Sequence, residues 1–283
     1  MSIGKPKTLT TPSLKRHALS TSNVDVFELV SSPPTGSKFS SNVVALVNGM
    51  NPTEVFKYVA NFGIRHVIQA KGQGRIERVK KAQEIITAGA EGLSDFPGKL
   101  LLSPPTFHSN FSFHSSDEKE SVVEQAVSTV TAHSGGRRFA DDVRTIADEF
   151  FTNVIYNAYH GPNSRISRTV TTKLPKDKAG ELHVMGSENE LMIAVFDLFG
   201  TLEIEALIQK IQKSFFLGIS RSMSYSSGGA GIGCRLVLDR SQRYWVIVFP
   251  GVFTAFFSIM PFGPDARDAD MDHKDVHFLK LTR

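Results

Sequence analysis

The stretch from Asp148 to Ala158 reads DEFFTNVIYNA and lies in a helix predicted from about Arg137 to His160. Glu149, Asn153 and Asn157 recur every fourth residue, so the spacing places a carboxylate and two carboxamides in line on one helix face. A carboxylate one turn from an amide can hold a water molecule as general base while the amide oxygen binds Mg²⁺. The solvated polar face of an amphipathic helix shows the same spacing, so both interpretations stand at this point.

A neighbouring face of the same helix is apolar. Its side chains recur at the same interval, and we expect them to be buried: Ile146, Phe150, Val154 and Ala158. The helix is predicted to end at Gly161-Pro162, because a glycine followed by a proline commonly stops a helix. The polar face therefore has a packed face beside it.

A second motif lies at the end of an apolar run, Leu191–Gly200, which reads LMIAVFDLFG. The run predicts a buried strand with Asp197 at its end. A buried carboxylate at a strand end can accept a hydrogen bond from an exocyclic amine. Alternatively, Asp197 caps the turn that follows the strand, which is a common use of aspartate.

A third motif is rich in glycine. Ser226–Leu236 reads SSGGAGIGCRL, and Gly229, Gly231 and Gly233 are predicted to open a helix after a serine-rich loop. Since glycine has no Cβ, the backbone there can approach phosphates, and the helix N-terminus presents free N–H groups and a positive dipole. The stretch is not a P-loop, because no Gly-Lys-Ser/Thr follows, and its glycine spacing differs from that of a dinucleotide fingerprint.

The pattern around these motifs predicts the fold of the second half. After the long helix we expect extended segments and helices at Arg168–Leu174, Glu181–Met185, Leu191–Asp197, Leu202–Leu217, Ala230–Arg240, Tyr244–Phe249 and Val252–Met260. Two of the strand pairs are predicted hairpins. The expected fold class is α/β, built as a two-layer α+β sandwich whose mixed sheet carries helices on one face.

The first half alternates short strands with helices, which predicts a small α/β domain over residues 23–100. Its predicted elements are Val24–Val30, Asn42–Val47, Pro52–Phe62, His66–Ala70 and Arg75–Thr87. Residues 1–22 show no apolar period and are predicted to be a flexible tail. Residues 89–116 are rich in Gly, Pro, Ser and Phe. Within them, residues 101–116 are predicted to link the first domain to a second one over residues 117–283.

Composition argues against several classes of protein. The 283-residue chain has 32 Lys and Arg against 28 Asp and Glu, and a net charge of +4 does not indicate a nucleic-acid-binding protein. Its one cysteine, Cys234, allows no internal disulfide and fits a reducing compartment. The first twenty residues lack the apolar segment of a secretory signal, and Pro250-Gly251 interrupts the apolar run Trp245–Met260. We therefore expect a cytoplasmic protein without a membrane-spanning segment.

The order of the three motifs resembles the GHKL ATPase superfamily, which includes DNA gyrase, the large heat-shock chaperones, sensor histidine kinases and the anti-sigma-factor serine kinases. EFFTNVIYNAYHG is similar to the N box of that superfamily, VFDLFG to its G1 box and GGAGIGCRLV to its G2 box. The resemblance covers about residues 135–260. With Ala158-Tyr159 after the second amide, the N box is most similar to that of the anti-sigma-factor serine kinases.

The resemblance implies ATP and Mg²⁺ as ligands and assigns a role to each motif. Glu149 would be the general base, Asn153 would bind Mg²⁺, and Asp197 would accept a hydrogen bond from the adenine amino group. The other implied nucleotide contacts, under a lid formed by Ser220–Gly228, are Asn157, Gly200, Gly229, Gly231 and Gly233. The G1 box usually reads Asp-x-Gly-x-Gly, whereas here Phe199 stands where its first glycine belongs.

The resemblance also implies an activity, which is transfer of the γ-phosphate of ATP to a serine or threonine of a protein partner. That partner would be an anti-sigma antagonist, a sigma factor or another signalling protein. The alternative is a non-catalytic GHKL-fold interaction module or a nucleotide-gated switch, because the G1 turn departs from the pattern of the family. A docked catalytic domain served by a separate phospho-acceptor protein is a third interpretation. Whether the chain forms a homodimer stays open.

A weaker resemblance concerns the first half. DVFELVSSPPTG, NVVALVN and GIRHVIQAKG are similar to the second half of a response-regulator receiver, with Lys71 after the last strand. Val30 stands where the phospho-accepting aspartate belongs, so this would be a truncated receiver that cannot be phosphorylated. An unrelated small α/β module would show the same pattern. His114 and His133 flank a predicted helix, Asp117–Ala132, but neither lies in a phospho-acceptor motif, so autophosphorylation on histidine is not expected.

Overall fold

A computed structural model describes residues 14–16, 18–21, 23–29, 39–71, 74–93, 96–102, 104–159, 170–225, 230–264, 266 and 274–282. Its strands, in chain order, are β1 (Leu14–Arg16), β2 (Asp25–Leu29), β3 (Val43–Val47), β4 (His66–Gln69), β5 (Phe107–Phe113), β6 (Gly180–Gly186), β7 (Glu190–Asp197), β8 (Arg243–Phe249), β9 (Phe253–Pro261) and β10 (Asp275–Lys280). They form one mixed sheet in the order β1-β2-β3-β4-β10-β8-β9-β7-β6-β5.

The helices of the described residues are α1 (Pro52–Phe62), α2 (Arg75–Gly92), α3 (Gly98–Leu101), α4 (Lys119–Thr131), α5 (Ala140–Asn153), α6 (Ile204–Tyr225) and α7 (Ala230–Arg240). Short 3-10 turns precede α4 and α5, and a π-helical turn, Val154–Ala158, continues α5. The chain therefore has the predicted mixed α/β class.

The N-terminal strands β2, β3 and β4 run parallel, and α1 connects β3 to β4. All five residues of β3 are buried, as expected for a strand covered on both faces. Asn51 and Glu54 form a capping box at the start of α1, and Gly63 ends that helix with a φ of 73°. These elements lie close to the predicted ones because their signals are local.

The C-terminal strands include both predicted hairpins. β7 pairs antiparallel with β6 and with β9, and β8 pairs antiparallel with β9. The apolar run Trp245–Met260 therefore contributes to two buried strands joined near Pro250-Gly251. None of the helices in the described part of the chain is long and apolar enough to span a bilayer.

The strand β10 is absent from the predicted elements, although it holds the two halves together. It pairs parallel with β8 and antiparallel with β4, so one sheet runs through both predicted domains. Its sequence, DVHFLK, is short, and strand formation there depends on neighbours far away in the chain. The local pattern therefore carries too little signal to predict it.

Residues 101–116 are not a linker, which corrects the prediction. They contain β5, which pairs with β6 along its whole length from Phe107 to Phe113. The composition of the segment did not indicate a strand, because the exposed positions of β5 carry polar side chains. These are His108, Asn110 and Ser112. The predicted flexible tail, residues 1–22, also contains the strand β1, which pairs with β2. Leu19, in the same segment, accepts a hydrogen bond of 2.6 Å at its carbonyl from Gln83 Nε2.

The helices of the predicted second domain, α4 to α7, all lie on one face of the sheet, and helices of the N-terminal half cover the other face. One core packs α1, α4, α5, α6 and α7 against the sheet, and a second core packs α2 and α3 against the other face. Residues of β8 alternate between the two, with Tyr244 and Val246 in the first core and Trp245 and Ile247 in the second. The second layer comes from the N-terminal half, so the pattern of the C-terminal half alone could not indicate it.

Two buried histidines lie at the junction of β4 and β10. His66 and His277 are cross-strand partners with their Nδ1 atoms 3.3 Å apart, and Trp245 stacks on His277 at a ring distance of 3.8 Å. Burial lowers the pKa of His66 to about 3 and the pKa of His277 well below its usual value. Both rings are therefore neutral at neutral pH.

Acidification is expected to destabilise the protein through this pair. A folded-state pKa below the unfolded value means that the unfolded chain takes up protons first, so stability is lost as the pH falls below about 6.5. For His66 alone the loss is about 2 kcal/mol at pH 5. Urea unfolding between pH 7.5 and 5 measures this slope. His66→Phe should reduce it, and an unchanged slope in His66→Phe would contradict the prediction.

Candidate functional site

A cavity lies where the end of α5 and its π-helical turn meet β7, β9, α6 and α7. It encloses about 670 Å³ of empty space, part of which is open to solvent. The polar and titratable residues in its lining are Asn153, Asn157, Asp197, Thr201, Glu203, Lys210, Cys234 and Thr254. Three residues predicted from two motifs thus line one cavity: Asn153 and Asn157 from the helix, and Asp197 from the strand end.

The two amides are held at the end of α5. Ile146, Phe150 and Val154 are each at most 1% exposed, so the predicted apolar face is buried and turns the polar face toward the cavity. Asn157 Nδ2 donates a hydrogen bond of 3.0 Å to Asn153 Oδ1. The backbone changes from α to π helix at Val154, which the sequence did not predict, and such turns are frequent at functional sites.

Asp197 ends β7 at the buried side of the cavity. Its side chain is 2% exposed, and its Oδ1 accepts hydrogen bonds from the backbone N–H of Phe199 at 2.9 Å and of Gly200 at 3.4 Å. Burial raises the pKa of Asp197 to about 6, although these N–H groups and Thr254 favour the charged form. The carboxylate therefore caps the turn after the strand and lines the cavity at once, so the two interpretations of its role are compatible.

Thr254 is a site residue that sequence reasoning missed. It stands opposite Asp197 in the register of β7 and β9. Its hydroxyl is close enough to influence the carboxyl of Asp197, but it is buried without meeting the geometry of a hydrogen bond. A ligand that donates to Asp197 would also offer this hydroxyl a partner. Only the pairing of β7 with β9 reveals the position of Thr254.

The turn after β7 closes on Gly200 and not on Phe199. Gly200 has a φ of 59°, and its N–H and carbonyl hold the turn against Asp197 and Gly251. Phe199 is 7% exposed, and the centroid of its ring lies 5.5 Å from that of Tyr159. The Lys178 ammonium lies over the Phe199 ring, 5.1 Å from its centroid. The turn is therefore displaced by one residue from the pattern that the resemblance predicts, and Phe199 packs beside the cavity.

Gly200→Ala is expected to destabilise the fold by about 3 kcal/mol or more, because a Cβ would overlap with the Phe249 carbonyl oxygen in addition to the strain of a positive φ. Gly251→Ala is the matched control, since Gly251 also has a positive φ of 72° but nothing lies within 4 Å of its Cβ position. It should cost only about 1 kcal/mol. Urea denaturation compares the two, and equal losses would mean that the close approach at Gly200 is unimportant.

Glu149 lies where α5 packs against α7. A Cβ on Gly233 would overlap with the Glu149 carboxylate, so Gly233 is needed for this close approach. Cys234 follows at the cavity wall, where burial and the Glu149 charge raise its pKa to about 12, while Lys210 and Asn153 act in the opposite direction. Glu149, Asn153 and Lys210 therefore surround one thiol, although Glu149 is not among the residues that line the cavity.

Part of the predicted phosphate-binding segment is outside the described residues. Gly229 and the lid residues 226–228 lie there, as does Val30 of the receiver comparison. Gly231 is described as helical backbone in α7. The first part of the predicted lid, residues 220–225, continues α6 to Tyr225, because that stretch contains neither glycine nor proline to stop the helix.

The donor groups of the cavity fit a nucleotide with Mg²⁺. Within the described part of the chain, three or more His, Cys, Asp or Glu side chains do not converge on a metal position. A Mg²⁺ ion bound by phosphates needs only one or two protein ligands, and the Asn153 oxygen is one suitable ligand. Asp197 and Thr254, which are both buried, supply a hydrogen-bond acceptor and a hydroxyl group elsewhere in the cavity lining.

No protein-family model matches the chain, and no curated protein matches it.

Proposed function

We propose that the protein binds ATP with Mg²⁺ in this cavity, as a GHKL-type domain related to the anti-sigma-factor serine kinases. The observation that supports this proposal most strongly is the meeting of three motifs. Asn153 and Asn157 from the N box, Asp197 from the G1 box and Cys234 from the G2 box all line the same cavity. Motifs that matched by chance would have no reason to converge in space.

In this proposal each end of the cavity has its own chemistry. The Asp197 carboxylate accepts a hydrogen bond from the adenine amino group, and Thr254 lies beside it. Asn153 binds Mg²⁺, which neutralises charge on the phosphates. Lys210 and Glu203, also in the lining, carry opposite charges, and Lys210 is the one that would attract the phosphates. Glu149, one helical turn before Asn153, serves as the general base for the acceptor hydroxyl.

The proposed reaction is transfer of the γ-phosphate to a serine or threonine of a partner protein. The partner would be an anti-sigma antagonist, a sigma factor or another signalling protein. This choice within the superfamily rests on Ala158-Tyr159 after the second amide of the N box. Catalysis of this kind depends mainly on positioning and on electrostatic stabilisation of the phosphoryl group.

A non-catalytic interaction module or nucleotide-gated switch is the second candidate function. The displaced G1 turn favours it, because Phe199 fills space beside the cavity where the family has glycine. The two functions differ in turnover. A kinase consumes bound ATP when its partner is present, whereas a switch binds ATP and changes its affinity for the partner without releasing ADP.

Calorimetry with the full chain, ATP and Mg²⁺ tests the shared premise of both functions. We expect saturable binding of one nucleotide per chain, weakened by removal of Mg²⁺ with a chelator. A chain that binds neither ATP nor ADP would overturn the proposal. Phosphate release and transfer of labelled phosphate to candidate partners then separate the kinase from the switch.

The affinity for adenine is expected to fall in acid. The pKa of Asp197 is raised to about 6, so the carboxylate that accepts the amino group becomes protonated below that pH. Binding of adenosine, which avoids titration of the phosphates, should be about tenfold weaker at pH 5 than at pH 7.5. Calorimetry across this range measures the effect, and Asp197→Asn should remove the pH dependence. A flat profile in the wild type would show that this carboxyl does not contact the base.

A further inference from the structure

A second cleft lies at the carboxyl ends of β3 and β4, between α1 and the end of α7. It holds about 910 Å³ of empty space, part of it open to solvent. Its walls are mostly apolar and come from four elements: Met50, Val55, Phe56, Leu238 and Val276. Its polar side chains are those of Asn51, Gln69, Lys71 and Lys274, with Gln69 and Lys71 at the end of β4.

The position of this cleft is one where open α/β sheets bind ligands. β3 and β4 are neighbouring parallel strands. The helix after β3, α1, packs into one core, and the helix after β4, α2, packs into the other. The chain thus leaves the two strands toward opposite faces, which opens a crevice beyond their carboxyl ends, and ligands of such sheets bind in that crevice.

A buried amide in the cleft wall lacks half of its hydrogen bonding. Gln69 is 2% exposed, and its Nε2 donates a hydrogen bond of 2.7 Å to the Met50 carbonyl. Its Oε1 is buried and accepts no hydrogen bond among the described residues. An unsatisfied buried acceptor is costly, so an N–H or O–H donor brought by a ligand would be favoured there.

The charge of the cleft is positive. Lys71 and Lys274 line it, and no carboxylate is among its described lining residues. Lys274 Nζ already donates to the carbonyls of Leu238, Asp239 and Ser241 at the end of α7. Nearby, the Glu54 carboxylate is held by the Asn51 N–H, and Asp275 is paired with Arg78. Lys71 therefore supplies the cation that a ligand can reach, which favours a ligand with one negative charge.

We propose that this cleft is a second binding site, for a small organic monocarboxylate with an apolar body and one hydrogen-bond donor. The carboxylate pairs with Lys71, the body lies against Val55, Phe56 and Leu238, and the donor bonds to Gln69 Oε1. The proposal does not depend on the nucleotide cavity, because the lining residues of the two cavities are different.

Indole-3-acetate is a suitable probe, since it combines a carboxylate, a flat apolar body and one N–H. With the full chain we expect saturable binding by calorimetry, at least tenfold weaker in Lys71→Met and unchanged in Lys57→Met, an exposed position on α1 outside the cleft. The 1-methyl analogue lacks the donor and should bind at least fivefold more weakly to the wild type. In Gln69→Leu the two probes should bind equally.

Three results would overturn the proposal. The first is the absence of saturable binding of indole-3-acetate to the wild type at millimolar concentration. The second is binding that Lys71→Met leaves unchanged, and the third concerns the other cavity. Asp197→Asn should not affect the probe, and a loss of binding in that variant would place the probe in the other cavity and equally overturn the assignment. If Gln69→Leu fails to fold, the comparison of the two probes on the wild type still tests the hydrogen bond.

Discussion

Replacing Glu149 with glutamine is expected to slow phosphoryl transfer from ATP by about 10²- to 10⁴-fold, the usual effect of losing a general base. Glutamine keeps the size of the side chain, so its contact with Gly233 at the α5–α7 interface survives. Affinity for ATP should stay within about threefold, because the residue does not line the cavity. Release of labelled phosphate from ATP and its transfer to the partner measure the rate.

The neighbouring carboxylate offers a matched control for this experiment. Asp148 lies on the same helix, is 41% exposed at its side chain and pairs with Lys119 at 2.7 Å. Asp148→Asn should leave both turnover and ATP affinity unchanged. Equal turnover in Glu149→Gln and the wild type would show that the base is elsewhere. A wild type that binds ATP without any turnover would favour the nucleotide-gated switch.

Replacing Asp197 with asparagine is expected to weaken ATP binding by about 10- to 100-fold, the range for losing a hydrogen bond to a charged group. Asparagine preserves an oxygen for the N–H groups of Phe199 and Gly200, so the turn should persist. It loses the charge, and its amide hydrogens oppose an incoming amino group. Calorimetry with ATP and with adenosine should show the same loss, because the effect acts on the base.

Thermal unfolding separates this loss from a loss of fold. Asp197→Asn should unfold near the wild-type temperature in the absence of ligand, since only one buried group changes its charge. Asp177→Asn, at an exposed position before β6, serves as control and should retain full affinity. Full ATP affinity in Asp197→Asn would mean that the adenine does not bind at the end of β7, and the G1 assignment would be wrong.

Local patterns predicted much of the secondary structure. The helix α1 has its capping residues, Asn51 and Gly63, directly at its ends, and the buried strand β3 is a continuous apolar run. The buried face of α5 shows in the spacing of Ile146, Phe150 and Val154. In each case neighbouring residues carry the signal, because helix and strand periodicity repeats within a few positions.

Elements that depend on distant partners were missed or misplaced. β10 forms between β8 and β4, and β5 forms along β6 in a stretch with polar exposed positions. The cover of the second sheet face comes from α2 and α3 of the N-terminal half. The partner of each segment is not encoded in the segment itself, since pairing and burial are decided by what lies opposite.

For the candidate site, the sequence by itself determined which side chains are available and which of them share a helix face or end a strand. Glu149, Asn153 and Asn157 follow from helical spacing, and Asp197 follows from its place after an apolar run. The tertiary structure alone decided that Asp197 lies opposite Thr254 and that Glu149 packs against Gly233. These contacts join residues far apart in the chain, and strand register and helix packing, which no local period encodes, set their distances.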